Sequence, residues 1–197
     1  MTSNHSIDYF DTQFQNQARE QSYRLNPFET DVLPYLHGRV LDYGCGMGNL
    51  AIEAAKRGCS VVALDASPSA IADLKQRAAL EGLLIEADVA DLRDYQLREN
   101  YDSVVSIGLL MFFDCATAFK ALVQLQSRVA VGGIAVVTVL VEGTTYLDMF
   151  DADSHCLFNR AEMEARFAGW KILKSEFKNF DAPNGKLKSF ATVIAQK

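Results

Sequence analysis

Three glycines at alternate positions, Gly44, Gly46 and Gly48, follow an apolar segment that carries Asp42 near its end. Glycine lets the backbone turn sharply and pass close to a ligand, because it has no Cβ. If a helix starts directly after such a turn, its first amides point at the same ligand. The spacing therefore predicts a ligand-binding loop between a strand and a helix.

Two further carboxylates, Asp65 and Asp88, follow the next two apolar segments at equal intervals along the chain. A carboxylate in the place of Asp65 can accept both hydroxyls of a ribose, and one in the place of Asp88 can accept the amino group of an adenine. Each also has a plainer interpretation. Asp65 belongs to a good helix start with Ser67 as the cap, and Asp88 could be a solvated turn residue.

The glycine spacing disfavours a nicotinamide dinucleotide. That fingerprint is Gly-x-Gly-x-x-Gly, whereas the residue that follows Gly48 is Asn49. Asp42, two residues before the first glycine, also suits a positively charged ligand better than a pyrophosphate. An NAD-dependent oxidoreductase is therefore the less favoured alternative.

The elements that must position these residues are short strands alternating with helices. Apolar runs rich in Val and Ile predict strands at residues 39–43, 60–65, 83–87, 103–108 and 134–141. The segments between them have helical spacing of apolar residues. This alternation predicts an α/β, doubly wound, mostly parallel sheet. Ligands of such sheets bind at the carboxyl ends of the strands, where the three carboxylates would lie.

The two ends of the chain follow other patterns within what we expect to be a single domain, residues 1–197. Residues 7–24 have the spacing of an amphipathic helix, and residues 1–30 are predicted to form a helical lid. After Asn159, a possible helix cap, a short helix is expected. Residues 170–177 and 188–195 are predicted to form a C-terminal antiparallel strand pair, since Asn184-Gly185 between them is a turn signal.

With these motifs, residues 39–133 resemble the class I S-adenosylmethionine-dependent methyltransferases, whose Rossmann-like fold agrees with the predicted sheet. The resemblance implies that Gly44, Gly46 and the adjoining Cys45 contact the methionine part of the cofactor, with Asp42 near its amino group. For Cys45, a small apolar filler is the plainer interpretation. The remaining implied cofactor residues are Asp65 and Ala66 at the ribose, Asp88 and Val89 at the adenine, and Ser106, Ile107 and Gly108 near the transferred methyl group.

Residues 109–113, 167–170 and 185–192 are most similar to the tellurite-resistance (TehB-like) group of these enzymes. That group carries a His-Arg pair shortly before its last strand, proposed to meet an oxyanion. This chain has Asn179-Phe180 at the corresponding place. The resemblance therefore implies a small-molecule acceptor, such as a thiol, a metalloid oxyanion or another small metabolite, and leaves oxyanion specificity open.

No Ser-His-Asp or Cys-His arrangement is recognisable, and methyl transfer from a sulfonium does not need one, because its main requirement is alignment. If the acceptor must lose a proton, the candidates are Tyr146, His155 and Asp114. Residues 142–158 are expected to form the acceptor-side loop. Asp151, Asp153 and His155 alternate as metal ligands could, but a polar surface loop is favoured and no metal is predicted. A non-catalytic module that binds S-adenosylmethionine is the main alternative.

The composition excludes several other functions. The 197 residues include 19 Lys and Arg against 25 Asp and Glu, a net charge of −6 that disfavours nucleic-acid binding. Four cysteines without a Cys-x-x-Cys pair predict free thiols and no disulfide. The first residues lack a signal-peptide pattern, and the longest apolar stretch, 129–141, is too short for a membrane span. A cytoplasmic protein with no membrane partner is expected; the oligomeric state stays open.

Overall fold

The strands of the protein form one seven-stranded sheet in a computed structural model that describes residues 5–151 and 154–197. Their order across the sheet is β3-β2-β1-β4-β5-β7-β6. The strands are β1 (Arg39–Tyr43), β2 (Ser60–Asp65), β3 (Ile85–Val89), β4 (Tyr101–Ile107), β5 (Val129–Leu140), β6 (Lys171–Ala182) and β7 (Lys186–Gln196).

Helices connect the parallel strands and flank the sheet. They are α1 (His5–Glu20), α2 (Pro27–Val32), α3 (Asn49–Lys56), α4 (Pro68–Glu81) and α5 (Cys115–Ser127). Helix α4 starts as predicted, because the Ser67 side chain accepts a hydrogen bond from the Ala70 amide and Pro68 occupies the first turn. Asp114 caps α5 in the same way through the Thr117 amide.

The sheet has the predicted doubly wound topology. Strands β1 to β5 are parallel to their neighbours, whereas β7 runs antiparallel between β5 and β6. The predicted turn joins β6 to β7 at Pro183–Gly185, where Asn184 has a φ of 60°. The chain leaves β1 toward β2 and β3 and then returns to place β4 on the other side of β1. This reversal opens a crevice at the carboxyl ends of β1 and β4.

Core residues cover both faces of the parallel strands. Val104 and Val137 belong to a cluster with Leu122 of α5, while the adjacent residues Val105 and Val136 belong to the cluster on the other face, which includes residues of α3 and α4. Successive strand residues point to opposite faces, so strands covered on both sides are apolar almost throughout. This coverage explains why the central strands could be recognised in the sequence.

Some element boundaries differ from the prediction. Strand β3 begins at Ile85 rather than at residue 83, because Gly82 ends α4 in the left-handed conformation and the Leu83 amide still bonds to the Ala78 carbonyl. Strands β4 and β5 start earlier than expected. The short helix predicted after Asn159 consists of two 3₁₀ turns, Arg160–Glu162 and Ala165–Phe167. No helix among the described residues is long and apolar enough to cross a membrane.

The prediction of four free thiols is wrong for two of them. Cys115, at the start of α5, and Cys156, in the segment after β5, form a disulfide with a Cα–Cα distance of 4.7 Å. The chain carries them far apart, with a sequence separation of 41, so local spacing gives no sign of the pair. Cys45 and Cys59 are free and buried, as expected.

Replacing both bridged cysteines should destabilise the fold. For a sequence separation of 41, the chain-entropy model gives up to about 4 kcal/mol of unfolding free energy for the cross-link. Urea denaturation of the double variant Cys115→Ala/Cys156→Ala should show this loss. A reductant should lower the stability of the parent protein and leave the variant unchanged. Titration of four reactive thiols in the unreduced, denatured parent, instead of two, would contradict the bridge.

Candidate functional site

A cavity of about 410 Å³ lies at the carboxyl ends of β1, β2 and β4, within the size range of small-molecule sites. Its walls come from the glycine loop after β1, the end of β2, residues 91–93 after β3 and residues 107–113 after β4. Helix α1 and residues 22–29 close the remaining side. The predicted crevice is therefore a real cavity, and the N-terminal part of the chain completes it.

The glycine loop is held in a conformation that glycine favours. Gly44, Gly46 and Gly48 have φ values of 85°, 50° and 66°, all in the left-handed region. A Cβ on Gly46 would lie 3.0 Å from the Phe14 ring of α1. Gly46 is thus required both by its backbone conformation and by the close approach of the helix that covers the loop.

Asp65 ties this loop to the start of α4. One of its carboxylate oxygens accepts a hydrogen bond from the Gly46 amide at 2.8 Å, and the other accepts from the Ser67 amide at 2.9 Å. Burial raises the pKa of Asp65. Because a carboxylate can accept about four hydrogen bonds, the side chain, which also lines the cavity, keeps capacity for a hydroxyl ligand.

Asp42 is the most unusual group in the wall. Its side chain is buried, and Oδ2 has no hydrogen-bond partner among the residues that the structure describes. Burial raises its pKa to about 8, and the nearby charges of Glu29 and Asp65 add to the effect. A buried carboxylate without a partner is costly, and a cationic ligand would supply what this one lacks.

Helix α1 is fastened beside the glycine loop by polar contacts that the sequence did not reveal. Asp11 accepts hydrogen bonds from the Ser67 and Ser69 hydroxyls at 2.5 and 2.6 Å. On the cavity side, Phe10 and Phe14 belong to the wall. The helix therefore covers the cavity with aromatic rings while its polar face bonds to the first turn of α4.

An ion pair inside the fold holds the next part of the N-terminal segment. Arg77 pairs with Asp73 at 2.7 Å, donates to the Met47 carbonyl and lies 4.2 Å over the Tyr23 ring. The Tyr23 hydroxyl donates to Asp73 at 2.9 Å. Helix α4 thus positions both the glycine loop and the segment that leads to Arg24, a cavity residue.

The structure brings together most of the predicted cofactor residues. Those in the wall of the cavity are Asp42, Gly44, Cys45, Gly46, Asp65, Ala66, Ile107 and Gly108. Three predicted residues lie outside the wall. Ser106 is fully buried, Val89 is 51% exposed, and Asp88, on the edge strand β3, has a side chain that is 74% exposed and pairs with Lys75 at 3.3 Å.

Residues 91–93 line the cavity where the sequence had suggested Asp88 and Val89. Their backbone is anchored, because the buried Tyr43 hydroxyl donates to the Leu92 carbonyl at 2.6 Å. Asp91 pairs with Arg93, with a shortest contact of 2.5 Å. Strand β3 ends at Val89, two residues later than predicted. The loop that lines the cavity therefore begins after the residues that the sequence suggested.

The predicted acid–base candidates do not reach the cavity wall. Tyr146 hydrogen-bonds to Tyr9, with the Lys188 ammonium 4.6 Å from its ring centroid. His155 stacks on Phe150 at 4.9 Å, and Asp114 is used as the cap of α5. Asp153, one of the three alternating metal-ligand candidates, lies outside the described residues; within the described part, no group of three His, Cys, Asp or Glu could hold a metal.

Comparison with known proteins agrees with this geometry. Residues 40–133 match the family model described as a methyltransferase domain. The chain is 26% identical over 171 residues to the probable S-adenosyl-L-methionine-dependent methyltransferase TehB of Haemophilus influenzae, covering 81% of this chain and 57% of TehB. The crystal structure of TehB superposes with a TM-score of 0.78 over 98% of this chain and 67% of TehB, at 21% identity.

Residues 40–133 thus match a methyltransferase domain, and the fold is that of Rossmann-like methyltransferases. The fold recurs in the N-methyltransferase NodS of Bradyrhizobium japonicum, solved with S-adenosyl-L-homocysteine, with a TM-score of 0.77 at 16% identity over 98% of this chain and 99% of NodS. Hemagglutinin 1 of Eikenella corrodens is 28% identical over 142 residues, 70% of this chain and 45% of that protein. The chain spans about half the length of the curated relatives it matches.

TehB is named as S-adenosyl-L-methionine-dependent and NodS was solved with S-adenosyl-L-homocysteine, and the wall residues of this cavity fit S-adenosylmethionine chemically. The cofactor is a sulfonium that also carries an amino group, so a buried carboxylate with an unpartnered oxygen, Asp42, suits its positive charge. Asp65 offers acceptor capacity beside the glycine loop, as a ribose needs.

Replacing Asp42 by Asn should flatten the pH dependence of stability in the absence of cofactor. In the folded protein the Asp42 carboxyl keeps its proton up to about pH 8, against an ordinary pKa of 3.8. Between these values the folded state binds the extra proton, so the free energy of unfolding falls as the pH rises. The variant lacks this titration and should lose less stability between about pH 5 and about pH 8.

Urea denaturation at several pH values measures the effect. Some decline should remain in Asp42→Asn, because burial also raises the pKa of Glu29 and Asp65. Glu53→Gln, on the outer face of α3 with a side chain 41% exposed, is the matched control and should follow the parent. Parallel curves for Asp42→Asn and the parent protein would show that Asp42 ionises normally in the fold.

Proposed function

We propose that this chain transfers a methyl group from S-adenosylmethionine to a small-molecule acceptor at the end of the cavity beside Gly108 and Phe112. The observation that carries the proposal is the buried Asp42 carboxylate, whose Oδ2 is unpartnered within the described chain, next to a glycine loop in the wall of a cavity. Asp42 and the glycine loop together fit a ligand that carries a small cation, such as an ammonium group, attached to an adenosine.

The methionine end of the cofactor would bind between Asp42 and Arg24. Asp42 pairs with the ammonium group and Arg24, also in the wall, is the cation available for the carboxylate. Gly44, Cys45 and Gly46 pass along this part of the cofactor. Asp65 accepts the ribose hydroxyls, with Ala66 beside it.

When bound, the cofactor supplies an activated methyl group. The chain's own residues align the acceptor with it and exclude water. Ile107, Gly108 and Phe112 form one side of this space, and Phe10 and Phe14 of α1 form the other. Aromatic faces also favour a cation. The predicted lid, residues 1–30, includes two described parts that line the cavity, α1 and residues 22–29.

The adenine end offers two carboxylates. Asp91 is committed to Arg93 by contacts of 2.5, 2.8 and 3.2 Å, whereas Asp88 has one exposed ion pair with Lys75, which contributes little. Asp88 can therefore turn toward the adenine amino group at low cost, with Val89 beside it. We assign Asp88 to the adenine for this reason.

The acceptor is a small molecule, which suits a cavity of about 410 Å³ shared with the cofactor. The similarity to TehB raises tellurite and related metalloid oxyanions as candidates, and thiols or other small metabolites are further ones. Release of S-adenosylhomocysteine over a panel of these acceptors tests the function directly. Cofactor binding without turnover of any acceptor would favour the non-catalytic alternative.

Asp65→Ala should weaken S-adenosylmethionine binding by more than about tenfold, since hydrogen bonds to a charged group are typically stronger than neutral ones. Isothermal calorimetry with S-adenosylmethionine and S-adenosylhomocysteine measures the effect. Because Asp65 also holds the Gly46 and Ser67 amides, urea denaturation must accompany it. Ser67→Ala, which removes the cap of α4 and the Ser67–Asp11 contact but keeps Asp65 and the amides that it holds, is the control. Unchanged affinity of a folded Asp65→Ala protein would reject the ribose assignment.

Replacing each of the two carboxylates at the adenine end in turn tests the assignment of Asp88 to the adenine. Asp88→Asn should weaken S-adenosylmethionine binding by about tenfold, the size expected for one charged hydrogen bond. Asp91→Asn should change it less, because Asp91 already satisfies Arg93. Neither change should alter folding much, since both side chains are substantially exposed. The reverse order of effects would move the adenine onto residues 91–93.

A further inference from the structure

The acidic and basic groups of the cavity wall are unequal in number. Four carboxylates, those of Glu29, Asp42, Asp65 and Asp91, face two guanidinium groups, those of Arg24 and Arg93. Arg93 is already neutralised by Asp91. Once Asp42 and Arg24 have taken the two charged ends of the cofactor's methionine, Glu29 is the carboxylate that the cofactor leaves over.

Glu29 lies on α2 and lines the cavity, near enough to Asp42 for its charge to raise the pKa of that residue. The preceding residue, Phe28, packs on Phe190 at 4.8 Å and on Phe180 at 5.4 Å, which places this turn of α2 against β6 and β7. The Glu29 carboxylate accepts a hydrogen bond from the Asn26 amide at 2.7 Å, within a capping box. Burial raises the pKa of Glu29, and one partner leaves most of its acceptor capacity for a ligand.

Aromatic and apolar side chains form much of the acceptor side. Phe10 and Phe112 meet edge to face at 5.0 Å, and Phe112 continues to Phe150 at 4.9 Å. Ile7, Leu109 and Phe113 complete this part of the wall. Aromatic faces beside a carboxylate favour a cation and disfavour an anion.

We propose, on the basis of the proposed methyl transfer, that the acceptor is an apolar nitrogen base that leaves the site as a cation, and that Glu29 determines this specificity. The nitrogen lone pair forms the new N–CH₃ bond. The bond from the methyl group to the donor sulfur breaks, and its electron pair stays on that sulfur. The positive charge thereby moves from sulfur to nitrogen, and a tertiary or pyridine-type nitrogen releases no proton.

This acceptor class explains why the acceptor side of the described cavity wall needs no acid–base pair. The charge in the cavity is conserved during transfer, so the groups that stabilise the sulfonium also stabilise the product. An oxyanion would instead enter a wall with an excess of carboxylates. At the acceptor side, the described wall offers it no cation, since Arg24 is assigned to the methionine carboxylate and Arg93 is paired.

An acceptor panel tests the class. Quinoline, a substituted pyridine and an N,N-dimethylalkylamine represent nitrogen bases; an aryl thiol, a phenol, selenite and tellurite are the comparators. Mass spectrometry of products and release of S-adenosylhomocysteine are the readouts. N-methylated cations formed at higher kcat/KM than any comparator product support the proposal. Turnover confined to the comparators, or faster turnover of a comparator than of every nitrogen base, overturns it, and the methylated comparator then keeps the proposed function intact.

The variant Glu29→Gln tests the residue. Glutamine can retain the capping box, so α2 should stay folded, and denaturation checks this. For nitrogen bases, kcat/KM should fall by about tenfold, as for a lost charged contact, while the dissociation constant of S-adenosylmethionine changes by less than about twofold. Glu53→Gln on α3 is the matched control outside the cavity. If Glu29→Gln weakens cofactor binding as much as Asp42→Asn does, Glu29 is a cofactor ligand and the specificity role fails.

Failure of the proposed function itself looks different. In that case no acceptor of the panel, nitrogen base or comparator, is methylated, whether or not S-adenosylmethionine binds in calorimetry. The acceptor class and the proposed function thus fail with different outcomes.

Discussion

The Asp42 carboxylate is buried, and one of its oxygens has no hydrogen-bond partner in the described chain. Such a group is expensive in a fold that is otherwise well satisfied. Its proton reduces the cost, which is what a pKa of about 8 expresses. A cationic ligand reduces it further, because it replaces the proton with a permanent charge. Binding and stability are therefore linked at one residue, and a ligand that binds only the folded state stabilises it.

Helix α4 supports the loop and the covering helix that lie around that carboxylate. Its N-terminal turn holds Asp65 and Asp11 through Ser67 and Ser69, and its middle holds Met47 and Tyr23 through Arg77. The glycine loop and the covering helix α1 are thus anchored to the same rigid body. A loop and a lid that share one support keep their separation constant, which alignment of two reactants requires.

The sequence predicted the part of this arrangement that depends on local chemistry. Strands β1 and β2 were predicted with their observed bounds because both faces of each are covered, so the apolar run and the strand coincide. The predicted start of β3 is two residues too early because Leu83 and Leu84 continue the apolar pattern. In the structure, the Leu83 amide still bonds back to α4, and Leu84 is 75% exposed. The Cys115–Cys156 bridge and the Asp11 contacts join residues far apart in the chain. A local sequence pattern therefore cannot predict either contact.

The acceptor is hidden from the sequence for a different physical reason. A hydrolase needs a nucleophile and a base at defined spacing, whereas a donor with an activated methyl group needs only alignment and a suitable electrostatic environment. Such an environment is a sum over residues from α1, α2 and the segments after β3 and β4, none of which is diagnostic alone. Glu29 illustrates this, since in the sequence it is only the last residue of a capping box. The proposed role of Glu29 depends on which charged groups remain unpaired after the cofactor has bound. Those groups come together only in the folded cavity.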